Sequence, residues 1–229
     1  MLQDFQIAHQ HIGYHCNSIW KYKFEHKNIL QDCKDNFNKF LNMKTSSGNL
    51  KSYISDDRYY YPSIKGQGDN VLGVKPIDDF LLAFEDSVRN WITNIVHDKF
   101  VFESFIKPSW PFAPHEWIDY MNIGSHIMVD NNGYNMGVHE DSNKVVCNFI
   151  ANLSENSCGT KFYHPVFENE DSWKSHFNGC DNKVVHEANG KAGTGICWFN
   201  NRGSLHSINV DCDRRFTAMA SVRLNFIKY

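Results

Sequence analysis

The chain has 229 residues, enough for one large domain, and its formal net charge of −3 gives no electrostatic case for nucleic acid or an anionic membrane surface. Its seven cysteines are odd in number and irregularly spaced, with no Cys-x-x-Cys pair, and do not form a disulfide framework. The opening MLQDFQIAHQHIGYH lacks the basic and apolar regions of a secretion signal, and no stretch approaches about eighteen apolar residues, so a soluble protein of the reducing cytoplasm is expected.

In chain order, His9, His11 and His15 beside Cys16 alternate as on a strand, which reads as one exposed face rather than a metal cluster. Residues 28–43 place Ile29, Leu30, Phe37, Phe40 and Leu41 at roughly helical spacing. Residues 48–73 are polar and loop-like, apart from Tyr59-Tyr60-Tyr61 before Pro62. The strongest helix follows Pro76, where Ile77, Phe80, Leu81, Phe84, Val88, Trp91, Ile92 and Ile95 form one stripe. Pro76, Asp78 and Asp79 suit the start of that helix.

After Phe100 the pattern becomes short strands separated by turn residues, at 115–122, 125–129, 135–141, 144–153, 161–164, 183–186, 195–199 and 214–226. Asp130-Asn131-Asn132-Gly133 and residues 154–159 read as turns, and 165–182 as a variable insertion. The expectation is a single domain over 1–229, mainly β with flanking helices. A helical or irregular N-terminal layer (1–100) covers a double-stranded β-helix of jelly-roll, cupin-like form (101–229).

Two strands carry polar residues on one face. In 144–153, Val145, Cys147, Phe149, Ala151 and Leu153 make an apolar face, while Asn148 and Asn152 lie on the other between Val146 and Ile150. Those asparagines fit either a polar interior or an exposed edge. In 214–226, Arg215, Thr217, Met219, Ser221 and Arg223 share one face, and Phe216, Ala218, Ala220 and Val222 the other. An inward arginine needs an anionic partner, because guanidinium stays charged. A bound dicarboxylate would serve, and so would an acid such as Asp211 or Asp213; for Arg214 the acid is preferred.

The chemistry centres on His139-Glu140-Asp141. On an extended strand His139 and Asp141 point to one side and Glu140 to the other. His206, about sixty-five residues on, completes two histidines and one carboxylate, the face that holds iron(II) while leaving positions open. Arg215 follows His206 by nine residues.

The order His139-x-Asp141, Gly159-Thr160-Lys161-Phe162, Gly195-Ile196-Cys197-Trp198-Phe199, His206 and Arg215-Phe216-Thr217 resembles the iron(II)- and 2-oxoglutarate-dependent dioxygenases, in particular their prolyl-4-hydroxylase-like branch. The resemblance spans roughly 117–226; a Cys158-Gly159 pair stands where relatives carry two glycines. It implies that His139, Asp141 and His206 bind Fe(II). It also implies that Arg215 and Thr217 bind the far carboxylate of 2-oxoglutarate, with Asn148 in the same polar interior, and that ascorbate serves as reductant. O2 and 2-oxoglutarate would be consumed to hydroxylate a C–H bond of a small molecule or peptide, proline being the leading substrate, with succinate and CO2 as products. Neither nucleic acid nor membrane is an expected partner. The rival within the superfamily is a nucleic-acid demethylase, disfavoured by Arg215 and Arg223 lying eight apart and by the acidic balance. Outside it stands a cupin-like binding module without turnover.

Overall fold

A computed structural model describes residues 3–12, 15–25, 28–42, 58–63, 73–106, 112–141, 145–157, 159–165, 180–200 and 204–225, with the backbone alone for 3–18, 41–42, 101, 104–105, 164–165 and 180–183. The stripe after Pro76 folds as α2 (Lys75–His97), with proline in its first turn. Ile77, Phe80, Leu81, Phe84, Val88, Trp91 and Ile92 are buried, and Ile95 packs at their edge. Trp91 sets its edge against Trp20 and Phe149, each at 5.3 Å between ring centroids. Two acids on α2 are also buried: Asp78 accepts the Tyr61 hydroxyl at 3.0 Å and Glu85 accepts Ser125 Oγ at 2.7 Å. These bonds remove the cost of burying unpaired polar groups. Among the described residues no helix is long and apolar enough to cross a membrane.

Among the described residues, twelve strands form two antiparallel sheets. The larger has the order β1 (Gln3–Ile12), β2 (His15–Lys23), β10 (Thr194–Phe199), β7 (Cys147–Asn152), β12 (Arg214–Leu224), β5 (Met121–Asn131), β4 (Arg58–Pro62) and β3 (Leu41–Asn42). The smaller runs β6 (Asn135–His139), β11 (His206–Asn209), β8 (Lys161–Pro165) and β9 (Cys180–Glu187). This is the expected mainly-β jelly roll with a helical layer, since α2 covers one face of the larger sheet. Phe216, Ala218, Ala220 and Val222 of β12 join Cys147, Phe149 and Ala151 of β7 and the α2 stripe in one core, as strand alternation requires. Cys147 and Cys197 belong to this core; burial pushes the Cys147 thiol above its ordinary value and keeps it unreactive.

The opposite face of the larger sheet looks toward the smaller one. Trp198 of β10 stands on it, against Phe162 and His206 at 5.4 and 4.9 Å. β7 lies between β10 and β12 in the larger sheet, so Asn148 and Asn152 are interior and the edge-strand alternative falls.

Several elements differ from the sequence pattern, β11 among them, which has no counterpart in the expected strands. Residues 115–122 are not a strand: α4 (Pro114–Tyr120) occupies them, and β5 begins at Met121. Pro114 opens that helix, and the Glu116 carboxylate accepts the Ala113 N–H at 2.6 Å. Burial of Trp117 fits a helix as well as a strand, and these end signals decide it. The described residues of the first hundred supply four strands as well as α1 (Ile29–Asp35) and α2. β1 and β2 pair as a hairpin and extend the larger sheet through β10, and β2 is anchored as well by Ile19 on one face and Trp20 and Tyr22 on the other, all buried. Short α3 (Lys99–Val101) and a π turn (Phe102–Ile106) link α2 to the next described segment. The turn at Asn132-Gly133 forms as expected, with φ of 82° at Gly133.

Candidate functional site

β6 and β11 are neighbours, and their register sets His139 opposite His206. Directly opposed residues on antiparallel strands carry their Cβ atoms about 5 Å apart, which brings the two imidazoles to 4.4 Å between centroids. β6 ends at His139, so Asp141 lies just past the strand rather than on it. It still converges: Asp141 Oδ1 is 3.8 Å from His139 Nε2, and Oδ2 is 3.4 Å from His206 Nε2. One donor atom from each of the three falls within 4.8 Å of the others, and among the described residues no other such group of His, Cys, Asp and Glu exists. Donors roughly 2.1 Å from one ion and at right angles lie about 3 Å apart, so this set fits an ion with small adjustments.

Both rings are oriented from behind. His139 Nδ1 lies 2.8 Å from the Gly137 carbonyl and His206 Nδ1 lies 2.9 Å from that of Ser204. Those carbonyls accept the Nδ1 protons, leaving the Nε2 lone pairs for a metal. Burial first, then the charge of His206, hold His139 below the ordinary imidazole value, which favours the neutral, ligating form. Asn148, expected among the co-substrate contacts, stands behind the carboxylate. Its amide nitrogen donates to Asp141 Oδ2 at 2.6 Å, and its oxygen accepts from Ser221 Oγ at 2.8 Å.

Further along the same interior face, one cross-strand row holds three charges. Asp130 of β5 is paired in register with Arg58 of β4 on one side and Arg215 of β12 on the other. All three are buried, with side-chain exposures of 5, 0 and 3% for Arg58, Asp130 and Arg215. Arg58 grips Asp130 with both arms of its fork, Nε to Oδ1 at 2.5 Å and Nη2 to Oδ2 at 3.1 Å, and stacks on Tyr134 at 4.2 Å. Arg215 makes two long contacts, Nη1 to Asp130 Oδ2 at 3.4 Å and Nη2 to Asn152 Oδ1 at 3.5 Å. The acid facing Arg215 is thus Asp130, not Asp211 or Asp213. Arg215 Nε and Thr217 Oγ1 are buried without a hydrogen-bond partner among the described residues. Two unmet polar groups on one interior face, one cationic, are what a carboxylate-binding site presents before its ligand arrives.

Other expectations resolve simply. Arg214 is exposed, bonds Asn131 Oδ1 at 3.3 Å and covers the Phe37 ring at 4.2 Å, in place of an acid. Arg223 is exposed at its position on β12. The side chains of His9, His11, His15 and His164, and residues 166–179 of the insertion, lie outside the described ones. Arg58, Asp130 and Ser221 were not anticipated as site residues. Asp130 reads as part of a turn beside Asn131, and only continued alternation from His126 and Met128 would have placed it inward.

His126, also on the interior face of β5, yields a pH prediction. Burial, then the charges of Arg58 and Arg223, push it from 6.5 down to about 4 despite Asp130, and its ring packs against Tyr60 at 5.2 Å. Between those two values the unfolded chain binds a proton that the native state refuses, so stability is complete above the higher value and falls as pH drops toward the lower. With partial exposure discounted, the loss should be about 2 kcal/mol. Urea denaturation near pH 7.5 and near pH 5 should show His126→Gln losing less stability than the parent; equal losses would refute the assignment.

No protein-family model matches the sequence, and no curated protein matches it. Among solved structures the fold is similar to a Pseudomonas putida prolyl-4-hydroxylase, at 11% identity over 90% of this chain and 92% of that one, with a TM-score of 0.53. It is also similar to a prolyl hydroxylase from Trichoplax adhaerens, solved with a peptide fragment of the hypoxia-inducible factor oxygen degradation domain, at 11% identity over 86% of this chain and 76% of that one, with a TM-score of 0.50. At such identity the likeness is one of fold, and that fold is the one the motifs implied.

Proposed function

We propose that this chain is an Fe(II)- and 2-oxoglutarate-dependent hydroxylase acting on a peptidyl or free amino-acid side chain, with proline the leading substrate. One observation carries the reading: a convergent His139–Asp141–His206 set shares its interior with Arg215 Nε and Thr217 Oγ1, both buried and without a hydrogen-bond partner among the described residues. A structural metal site would need neither of the latter. The donor set, two imidazoles and one carboxylate, fits iron(II) with open positions.

His139, Asp141 and His206 would hold the iron, and Arg215 with Thr217 the far carboxylate of 2-oxoglutarate. When bound, the iron and its co-substrate supply the oxidising chemistry, turning 2-oxoglutarate and O2 into succinate and CO2 while one oxygen atom enters a C–H bond. The chain contributes position and environment. Gly137 and Ser204 fix the imidazole tautomers through their carbonyls. Ser221 and Asn148 aim the Asp141 carboxylate, an outer-shell contact of the kind whose loss typically weakens a metal site by about 10- to 100-fold. Trp198 and Phe162 wall the His206 side with apolar surface and exclude water. The bidentate fork of Arg215 can select a dicarboxylate over a simple 2-oxo acid.

The substrate class rests on analogy with the Trichoplax protein, which was solved with a peptide bound. A screen of free proline, other amino acids and proline-containing peptides, read by mass spectrometry, tests it. A gain of about 16 Da on a proline compound, dependent on 2-oxoglutarate, is the expected result. A net loss of about 14 Da from methylated nucleosides alone, with release of formaldehyde, would replace the reading with demethylation.

A further inference from the structure

We propose that Arg58 is a positioning residue for the co-substrate: by occupying Asp130 it leaves the Arg215 guanidinium uncompensated and open to an incoming carboxylate. The inference rests on the 2-oxoglutarate reading above and adds to it a residue from β4, far from the motifs in sequence.

The buried row holds two guanidinium groups and one carboxylate, so one positive charge has no counterpart within it among the described residues. The geometry says which one. Arg58 takes both Asp130 oxygens, at 2.5 and 3.1 Å, in a planar bidentate pair. Arg215 reaches the same carboxylate at 3.4 Å and leaves its Nε unused. The electrostatics agree. Burial works against both charges, yet at Arg58 the Asp130 carboxylate more than offsets it and holds the group above its ordinary value. At Arg215 burial prevails over Asp130, with Arg58 adding repulsion, and the group is held below. Since an arginine does not deprotonate in a protein, the imbalance at Arg215 can be relieved only by an anion. Stacking on Tyr134 at 4.2 Å fixes the plane of the Arg58 fork and so keeps its hold on Asp130.

Without Arg58, Asp130 would be free to close on Arg215. The resulting neutral pair would meet the co-substrate carboxylate with no net charge. Removing Asp130 as well would release Arg215 again. Arg58 therefore acts through Asp130, and the sign of the double substitution separates this from direct contact with the ligand.

Calorimetry on the Mn(II)-loaded protein without turnover tests it, with 2-oxoglutarate and 2-oxobutyrate as probes, since the second lacks only the far carboxylate. The parent should prefer 2-oxoglutarate strongly. Arg58→Met should shrink that preference by roughly tenfold or more with Mn(II) affinity unchanged. Arg58→Met combined with Asp130→Asn should restore it to within about threefold of the parent. A folded Arg58→Met protein with the parent's preference overturns the proposal, as does a double variant that stays weak, which would make Arg58 a direct ligand contact. If Arg58→Met does not fold, the double variant decides on the same criterion. A parent without any preference would instead sink the co-substrate reading and this inference with it; a preference retained in Arg58→Met sinks the inference alone.

Discussion

Asp141→Ala should abolish Fe(II) binding at the His139–His206 face, and succinate formation with it, while leaving the fold intact. Asp141 supplies the one anionic donor of the set, and its two oxygens lie 3.8 and 3.4 Å from the two Nε2 atoms. Two neutral imidazoles alone leave a dication uncompensated in a half-buried site. Loss of outer contacts to a metal ligand already costs about 10- to 100-fold in affinity, and loss of the ligand itself exceeds this. Asp141 follows the end of β6 rather than lying in a sheet core, so the only expected loss of stability is about 1–2 kcal/mol, from leaving the buried Asn148 amide without its acceptor. Metal content by elemental analysis, with thermal melting as control, checks both halves. A variant that retains stoichiometric iron would remove Asp141 from the site.

Arg215→Met should raise the 2-oxoglutarate requirement by about 100-fold with iron binding preserved. Truncating one member of a buried, hydrogen-bonded charge pair costs 2–5 kcal/mol or more in affinity, so roughly 3 kcal/mol is a moderate figure. The same change should leave the melting temperature unaltered or raise it. Methionine fills a similar volume, and the variant no longer buries a charge that burial already disfavours. Stability and affinity moving in opposite directions is the signature of a group kept for its ligand. An unchanged 2-oxoglutarate requirement would move the carboxylate site elsewhere, with Arg223 on the same strand face as the next candidate.

The proximity of His139 to Asp141 and the shared face of Arg215 and Thr217 were legible because each depends on local spacing, whereas His206 joined them only through the order of motifs in the family resemblance. His139 and Asp141 are two apart, and Arg215 and Thr217 alternate with a run of small apolar residues that pack on α2. α2 was legible for the same reason, as a long stripe with a proline start. What could not be read is what the register creates. The pairing of His206 with His139, and the row Arg58–Asp130–Arg215, arise from strands far apart in sequence. Asn148 showed as a polar residue on an apolar strand, but its commitment to Asp141 needs the two sheets facing each other. The β1–β2 hairpin gains its place from pairing with β10, a non-local interaction, and the buried Ile19, Trp20 and Tyr22 of β2 make too short an apolar run to mark a strand by themselves. α4 failed as a strand because a short segment with one buried tryptophan fits both periods.

The most direct test of the account is co-substrate turnover without a prime substrate. Purified protein supplied with Fe(II), ascorbate, O2 and 2-oxoglutarate should release succinate slowly, in step with CO2, and Asp141→Ala should release none. Succinate at the same rate from parent and Asp141→Ala, or from neither, would contradict the assignment of His139, Asp141 and His206 as the iron site of a 2-oxoglutarate oxygenase.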